Sequence, residues 1–187
     1  TSMSNNTHSQ LSSGSFQALY ILFFAVMVSS ACVISYCSGL YFAQAIQNHL
    51  PRISGLWAVI STILVFNSSQ SQTFHASIHR ITGSILGALI ATVFFTFIGM
   101  GLWVWYLARI AIVIVAFVIR MGEDSKLALL TCVLIYVIQQ ASPNIAIWQN
   151  SAERCIESII GIVIAVIFSL IFGLFSRLTT KFIQPNK

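Results

Sequence analysis

Residues 159–175 read IIGIVIAVIFSLIFGLF, an apolar run without a charged side chain. A membrane-spanning helix needs about 20 predominantly apolar residues in succession, so this run predicts a transmembrane helix. Three further apolar runs lie earlier in the chain, at 16–37, 81–98 and 102–119, and the last of them contains one charged residue, Arg109. The sequence therefore predicts an all-α integral membrane protein, and the lipid bilayer is its expected partner.

The composition of the whole chain agrees with this prediction. Hydrophobic residues make up 57% of the sequence and charged residues 7%, against about 25% charged residues in a soluble domain. So few charges cannot form a water-facing surface, and most of the outer surface must face lipid. The net charge is +5, but the basic residues are scattered between apolar runs and form no nucleic-acid-binding face. The four cysteines lack metal-type spacing and are expected to act as small apolar residues.

Six apolar segments divide the chain, and the second and fifth are short. The segments are 16–37, 53–66, 74–98, 102–119, 127–138 and 149–175. We expect the short segments either to extend into the polar stretches that follow them or to cross the membrane incompletely.

The segments also predict the domain organisation. Residues 1–15 are expected to form a disordered polar segment to which a tag could have contributed, and the absence of Lys and Arg from it argues against a signal peptide. Residues 16–178 form the predicted six-helix transmembrane domain, and residues 179–187 a short cytoplasmic tail.

The basic residues also predict the orientation. A cytoplasmic N-terminus places Arg80, Arg120, Lys126, Arg177, Lys181 and Lys187 on the cytoplasmic side, and Arg52 and Arg154 on the other. Because cytoplasmic loops carry an excess of Lys and Arg, both termini are expected in the cytoplasm.

A stretch of the third segment recurs in the sixth. Residues 77–87 read SIHRITGSILG and residues 151–161 read SAERCIESIIG, so that Arg, Ser, Ile and Gly coincide at one offset. The short segments are followed by comparable polar patches at 67–72 and 139–144. Because each unit contains three segments, an odd number, the second unit must enter the membrane from the opposite side. We therefore expect two inverted three-helix repeats, an arrangement characteristic of transporters and related channels.

The repeated stretch places an arginine, a serine and a glycine on one helix face in each copy. These residues are Arg80, Ser84 and Gly87 in the third segment and Arg154, Ser158 and Gly161 in the sixth. Guanidinium groups bind carboxylates through paired hydrogen bonds, so two arginines brought together by inverted halves would form an organic-anion site. The alternative is that each arginine reaches the lipid headgroups and anchors its helix.

Arg109 lies inside the fourth apolar segment, roughly 10 Å along the predicted helix, where an unpaired charge is costly. We expect it to face the substrate path or an acidic partner, with Glu157 or the pair Glu123–Asp124 as candidates. A substrate contact and a structural ion pair are both compatible with this position.

Two histidines, His75 and His79, share a helix face directly before Arg80. Because histidine changes charge near neutral pH, they are candidates for proton coupling, together with Glu157. A solvated interfacial pair is the alternative, and a zinc site would lack a third ligand. No metal and no cofactor are predicted.

Trp57 and three glycines complete the set of candidate residues. Trp57 could stack on a substrate ring, although anchoring at the membrane interface is the usual role of such a tryptophan. Gly83, Gly87 and Gly161 are candidate packing positions, because small residues let neighbouring helices approach closely. The sequence contains no Gly-x-Ser-x-Gly motif and no phosphate loop, so we do not expect an enzyme.

On these residues the chain resembles the fusaric acid resistance and aromatic acid exporter (FUSC-like) superfamily, and distantly the plant aluminium-activated malate transporters. The resemblance covers residues 16–175. It rests on Trp57-Ala58, Arg80-x-x-Gly83-Ser84-x-x-Gly87-Ala88 and Arg154-x-x-Glu157-Ser158-x-x-Gly161.

The resemblance implies a homodimeric, six-helix exporter of small organic anions such as aromatic carboxylates, located in the bacterial inner membrane. Proton coupling and a periplasmic adaptor protein would be consistent with such an exporter. Almost nothing follows Lys181, whereas many members carry a large cytoplasmic domain, so regulation and substrate class stay open. The alternatives are a passive anion channel, which the plant resemblance favours, and a non-transporting scaffold subunit of a larger complex.

Overall fold

The computed structural model describes residues 2–46, 50–67, 69–121 and 125–183, with side chains for 18–46, 50–67, 69–121 and 125–176. Within these ranges the chain forms six α-helices and no β-strand. The helices are α1 (Ser2–Ala45), α2 (Pro51–Val65), α3 (Gln70–Phe97), α4 (Leu102–Val118), α5 (Ser125–Ala141) and α6 (Ile147–Ile183).

Three of these helices contain stretches long and apolar enough to cross a membrane, namely Ala18–Ala45, Gln70–Phe97 and Ile147–Ser176. The other three are shorter apolar helices, of which α2 has 15 residues. At about 1.5 Å per residue, α2 is about 22 Å long, which is less than the roughly 30 Å of the hydrocarbon core. The predictions of an all-helical fold and of short second and fifth segments are confirmed, and the three long apolar stretches are compatible with a membrane protein.

Two helices, α1 and α3, begin four or more residues before the positions expected from hydropathy. α3 begins at Gln70 rather than near residue 74, because the polar patch supplies its own hydrogen bonds. Thr73 Oγ1 accepts a bond from the Asn67 amide at 3.1 Å and contacts the Ser169 hydroxyl at 2.9 Å. α1 begins at Ser2, so its backbone includes residues for which the sequence predicts disorder.

The connections between helices use the turn residues in different ways. Pro51 occupies the first turn of α2, where its missing N–H costs nothing. Gly99, between α3 and α4, has φ 113°, a conformation that is strained for residues with a side chain. After α4, Arg120 adopts φ 58°, and the Met121 amide donates to the Ala116 carbonyl at 2.9 Å, which closes the helix end.

α3 and α6 lie at the centre of the bundle and run antiparallel. Three hydroxyl pairs along the two helices establish the direction, because residue numbers rise along α3 as they fall along α6. The pairs are Thr73–Ser169 at 2.9 Å, Ser84–Ser158 at 3.3 Å and Thr92–Ser151 at 2.7 Å. Each central helix also packs on one short helix, α3 on α5 and α6 on α2.

Two of the close helix contacts are made by equivalent glycines. A Cβ added at Gly161 would overlap the carbonyl oxygen of Ala58 on α2. A Cβ added at Gly87 would overlap the carbonyl oxygen of Ala128 on α5. In each helix pair the two backbones are therefore in contact at the glycine of the repeated motif. The other candidate packing glycine, Gly83, is also buried on α3.

Candidate functional site

Arg80 is fully buried on α3, with its guanidinium over the ring of Trp57. The Arg80 Cζ atom lies 4.6 Å from the Trp57 ring centroid. Nε and Nη2 donate to Ser61 Oγ at 3.3 and 3.1 Å. Nη1, in contrast, is buried without a hydrogen-bond partner in the described part of the chain. A buried cation that keeps one nitrogen unbonded is expensive unless a ligand supplies the acceptor.

A cavity of about 750 Å³ adjoins Arg80. Its lining comes from α2, α3 and α5 and comprises Leu64, Ser71, Gln72, His75, Ala76, His79, Arg80, Lys126, Leu127 and Leu130. His75 is exposed, His79 half-buried and Arg80 buried, so Arg80 lies at the inner end and the histidines nearer the rim. The described lining contains basic and neutral side chains but no carboxylate, which favours an anionic ligand.

Arg154, on α6, differs from Arg80 because it is paired within the protein. Its Nη1 lies 2.6 Å from Glu157 Oε2, and its Nη2 lies 3.5 Å from Glu153 Oε2. Gln149 donates a further bond to Glu153 Oε1 at 3.3 Å. All three charged side chains are buried, so carboxylates of the chain itself balance the charge of Arg154.

Trp57 connects the two arginines. Its Nε1 donates to the carbonyl of Arg154 at 3.1 Å and to Ser158 Oγ at 3.0 Å. Ser158 Oγ also accepts a bond from Ser84 Oγ at 3.3 Å. The structure therefore brings Trp57, both arginines and both serines into one buried cluster, and the indole lies inside the bundle, away from an interfacial belt.

Arg109 lies apart from this cluster. It is half-buried on α4, and its Cζ atom lies 4.8 Å from the Trp105 ring centroid. It lines a separate cavity of about 320 Å³ between α4 and α5. Glu157, expected as a possible partner, pairs with Arg154 instead. The other candidate partners, Glu123 and Asp124, lie outside the described residues.

The two histidines contact each other at the cavity rim. The Nε2 atoms of His75 and His79 lie 3.2 Å apart and the ring centroids 4.1 Å apart. This spacing suits a hydrogen bond in which one ring donates and the other accepts. His79 directly precedes Arg80 and His75 lies one helical turn before His79, and both line the cavity.

Sequence reasoning missed two residues of the cluster. Ser61 holds Arg80, and it lies one turn after Trp57 on the same helix, where its Oγ donates to the Trp57 carbonyl at 3.0 Å. Glu153 precedes Arg154 directly, and its place in the repeated motif was the available signal. Ser61 carried no such signal, because a serine in an apolar helix is common.

A family model described as fusaric acid resistance protein-like matches residues 30–168. The chain belongs to this family. The matched range contains the whole buried cluster and all the residues of the Arg80 cavity. Proteins of this family are transporters, so family membership indicates a membrane transporter of small compounds. Neither the curated proteins nor the solved structures contain a significant match to the chain.

Proposed function

We propose that this family member exports small organic anions, foremost aromatic carboxylates, across the bacterial inner membrane. One observation carries the proposal: Arg80 is fully buried at the inner end of a cavity, and its Nη1 has no partner within the described residues. In a partly desolvated site, a hydrogen bond between charged groups contributes roughly 1.5–3 kcal/mol. A carboxylate bound there would satisfy the nitrogen and compensate the charge.

The rest of the cavity fits an organic body better than an inorganic ion. Leu64, Ala76, Leu127 and Leu130 provide apolar walls, whereas the polar groups lie at one end and at the rim. A volume of about 750 Å³ falls within the roughly 300–1,000 Å³ of small-molecule sites. The ligand would be an amphipathic acid with its carboxylate at the inner end.

The proposed transmembrane architecture is six spans in two inverted repeats. Its support is the antiparallel course of α3 and α6 and the recurrence of the glycine contacts in the two helix pairs. The hydroxyls of Ser84 and Ser158, 74 residues apart, contact each other, as expected for equivalent residues near a two-fold axis. Short helices in matching positions of two repeats commonly flank the substrate site of a transporter.

The position of the cavity supports the proposed outward transport. Its lining residues belong to the last turn of α2 and the first turns of α3 and α5, on the side where α2 leads into α3. With both termini in the cytoplasm, as the basic residues predict, that side is cytoplasmic. The anion would therefore enter from inside the cell, with His75, His79 and Glu157 as the candidates for coupling to protons.

Proteoliposome flux tests the proposal. Vesicles preloaded with benzoate, 4-hydroxybenzoate or malate should release the aromatic acids faster than protein-free vesicles, and a pH gradient should change the rate. Unitary currents in a planar bilayer would favour the channel alternative. Release no faster than from protein-free vesicles, for every carboxylate and at every gradient, would contradict transport and favour the scaffold.

A further inference from the structure

Arg80 and Arg154 are followed, three positions further along the chain, by different residues. Arg154 is followed by Glu157, whose Oε2 lies 2.6 Å from Arg154 Nη1. Arg80 is followed at the same spacing by Gly83, which has no side chain. Positions i and i+3 of a helix share one face, so the carboxylate beside Arg154 has no counterpart beside Arg80.

The unsatisfied atom of Arg80 is the same atom that Glu157 contacts on Arg154. Nη1 is the nitrogen of Arg154 that faces the Glu157 carboxylate, and Nη1 is the nitrogen of Arg80 without a partner. On Arg80 the remaining nitrogens, Nε and Nη2, are taken by Ser61. At Arg154 the chain itself supplies a carboxylate at Nη1, whereas at Arg80 no residue in the described part of the chain supplies an acceptor there.

The serine and the glycine that follow each arginine have matching contacts in the two copies. Four residues after each arginine stand Ser84 and Ser158, whose hydroxyls contact each other. Three residues further stand Gly87 and Gly161, and each packs against the carbonyl of an alanine on a short helix. Because the framework is the same, the difference in charge is specific to the positions beside the arginines.

Both acidic residues of the second copy are replaced in the first copy. Glu153 directly precedes Arg154, and His79 directly precedes Arg80. Glu157 stands where the first copy has Gly83. One copy therefore has a buried guanidinium that two carboxylates of the chain face, and the other has a buried guanidinium beside a cavity without acidic lining in the described part.

We infer that Glu157 is a tethered equivalent of the transported anion, and that Gly83 determines carboxylate binding because it supplies no side chain to pair with Arg80 Nη1. This inference rests on the proposed function and adds the position of the substrate. The carboxylate binds beside Gly83, at Arg80 Nη1, and the organic body extends between Leu127 and the histidine pair. A substrate with one carboxylate satisfies the site.

A glutamate introduced at position 83 should place its own carboxylate at Arg80 and so take the place of the substrate. Gly83→Glu should raise the melting temperature relative to Gly83→Gln, which has the same size but no charge, and this difference should vanish in an Arg80→Met background. The double-mutant cycle isolates the pairing between positions 80 and 83. Gly83→Glu should also bind benzoate at least tenfold more weakly than the parent. An equal melting temperature for Glu and Gln in the Arg80 background, or unchanged benzoate affinity, would overturn the inference.

A second variant, Glu157→Gly, tests the inference even if the protein does not fold with a side chain at position 83. Glu157→Gly gives the second copy a glycine three residues after its arginine, as in the first copy, and exogenous benzoate should then raise the melting temperature of this variant more than that of the parent. Benzamide, which lacks the charge, is the control at matched ionic strength. A shift no larger than the parent's, or an equal shift with benzamide, would contradict the inference. These measurements need no transport, whereas failure of the parent to move any carboxylate would contradict the proposed function separately.

Discussion

At the scale of single residues, the cluster shows how a chain with 7% charged residues keeps charges inside its bundle. Arg154 and Glu157 are buried at 2.6 Å from each other, so each offsets the desolvation of the other. Removal of one partner would leave an uncompensated charge, which is far more costly than removal of both. The pair therefore matters for stability chiefly because the loss of either side chain would leave the other as an unpaired buried charge.

This asymmetry predicts the behaviour of variants. Glu157→Leu should lower the free energy of unfolding by about 3–5 kcal/mol, because the Arg154 guanidinium loses its closest acceptor. Arg154→Met combined with Glu157→Leu should cost less than Glu157→Leu alone. Thermal and denaturant unfolding in one detergent would measure both variants. A double variant at least as destabilised as the single one would show that the pair is not coupled in this way.

The cluster could be predicted from sequence only in part. The repeated motif identified both arginines and both serines, because their spacing places them on one helix face. The role of Trp57 could not be predicted, since its indole partners belong to α6, 97 and 101 residues away. The division of the arginines into a paired and an unpaired one also depends on tertiary packing, because Ser61 reaches Arg80 from α2.

At the scale of helices, packing depends on glycines at which two backbones touch. Gly161→Ala should destabilise the protein by about 1–3 kcal/mol, because the new Cβ meets the Ala58 carbonyl and α6 must move away from α2. Gly101→Ala is the matched control, since the nearest neighbour of its added Cβ would be Val104 Cγ2, at an ordinary contact distance of 3.8 Å. Melting temperatures of the two variants and the parent give the comparison. Equal losses for Gly161 and Gly101 would argue against close packing at Gly161.

Helix existence was predictable from hydropathy, but helix ends were not. The apolar runs identified all six helices and the shortness of α2 and α5. The polar patches behaved differently, because α5 continues through Gln139 and Gln140 whereas α2 ends at Val65. Gln139 is stabilised by a bond from its amide to the Ile145 carbonyl at 2.6 Å, a contact that no local pattern indicates.

At the scale of the whole molecule, much of the surface is apolar and must face lipid or a second copy. Large exposed side chains on α4 include Leu102, Trp103, Phe117 and Val118. Small residues on α6 permit close contact between helices, and family resemblance favours a dimer. We therefore predict a homodimer of the 20.6 kDa chain. Native mass spectrometry or crosslinking in mild detergent should find twice the monomer mass, and monomer alone across several lipids would contradict the prediction.

Benzoate flux in proteoliposomes tests most directly whether Arg80 binds the transported anion. The flux is compared at equal protein density for the parent and the variants Arg80→Ala, Arg80→Lys and Arg52→Ala. Arg80→Ala should lose roughly ten- to hundredfold in apparent affinity, because a buried charged hydrogen bond disappears. Arg80→Lys should recover part of that loss, since ammonium keeps the charge but not the guanidinium geometry. Arg52 is exposed at the start of α2, where solvent screens its charge, so Arg52→Ala should resemble the parent. Benzoate flux in Arg80→Ala equal to that of the parent would contradict the assignment of Arg80 as the anion-binding residue.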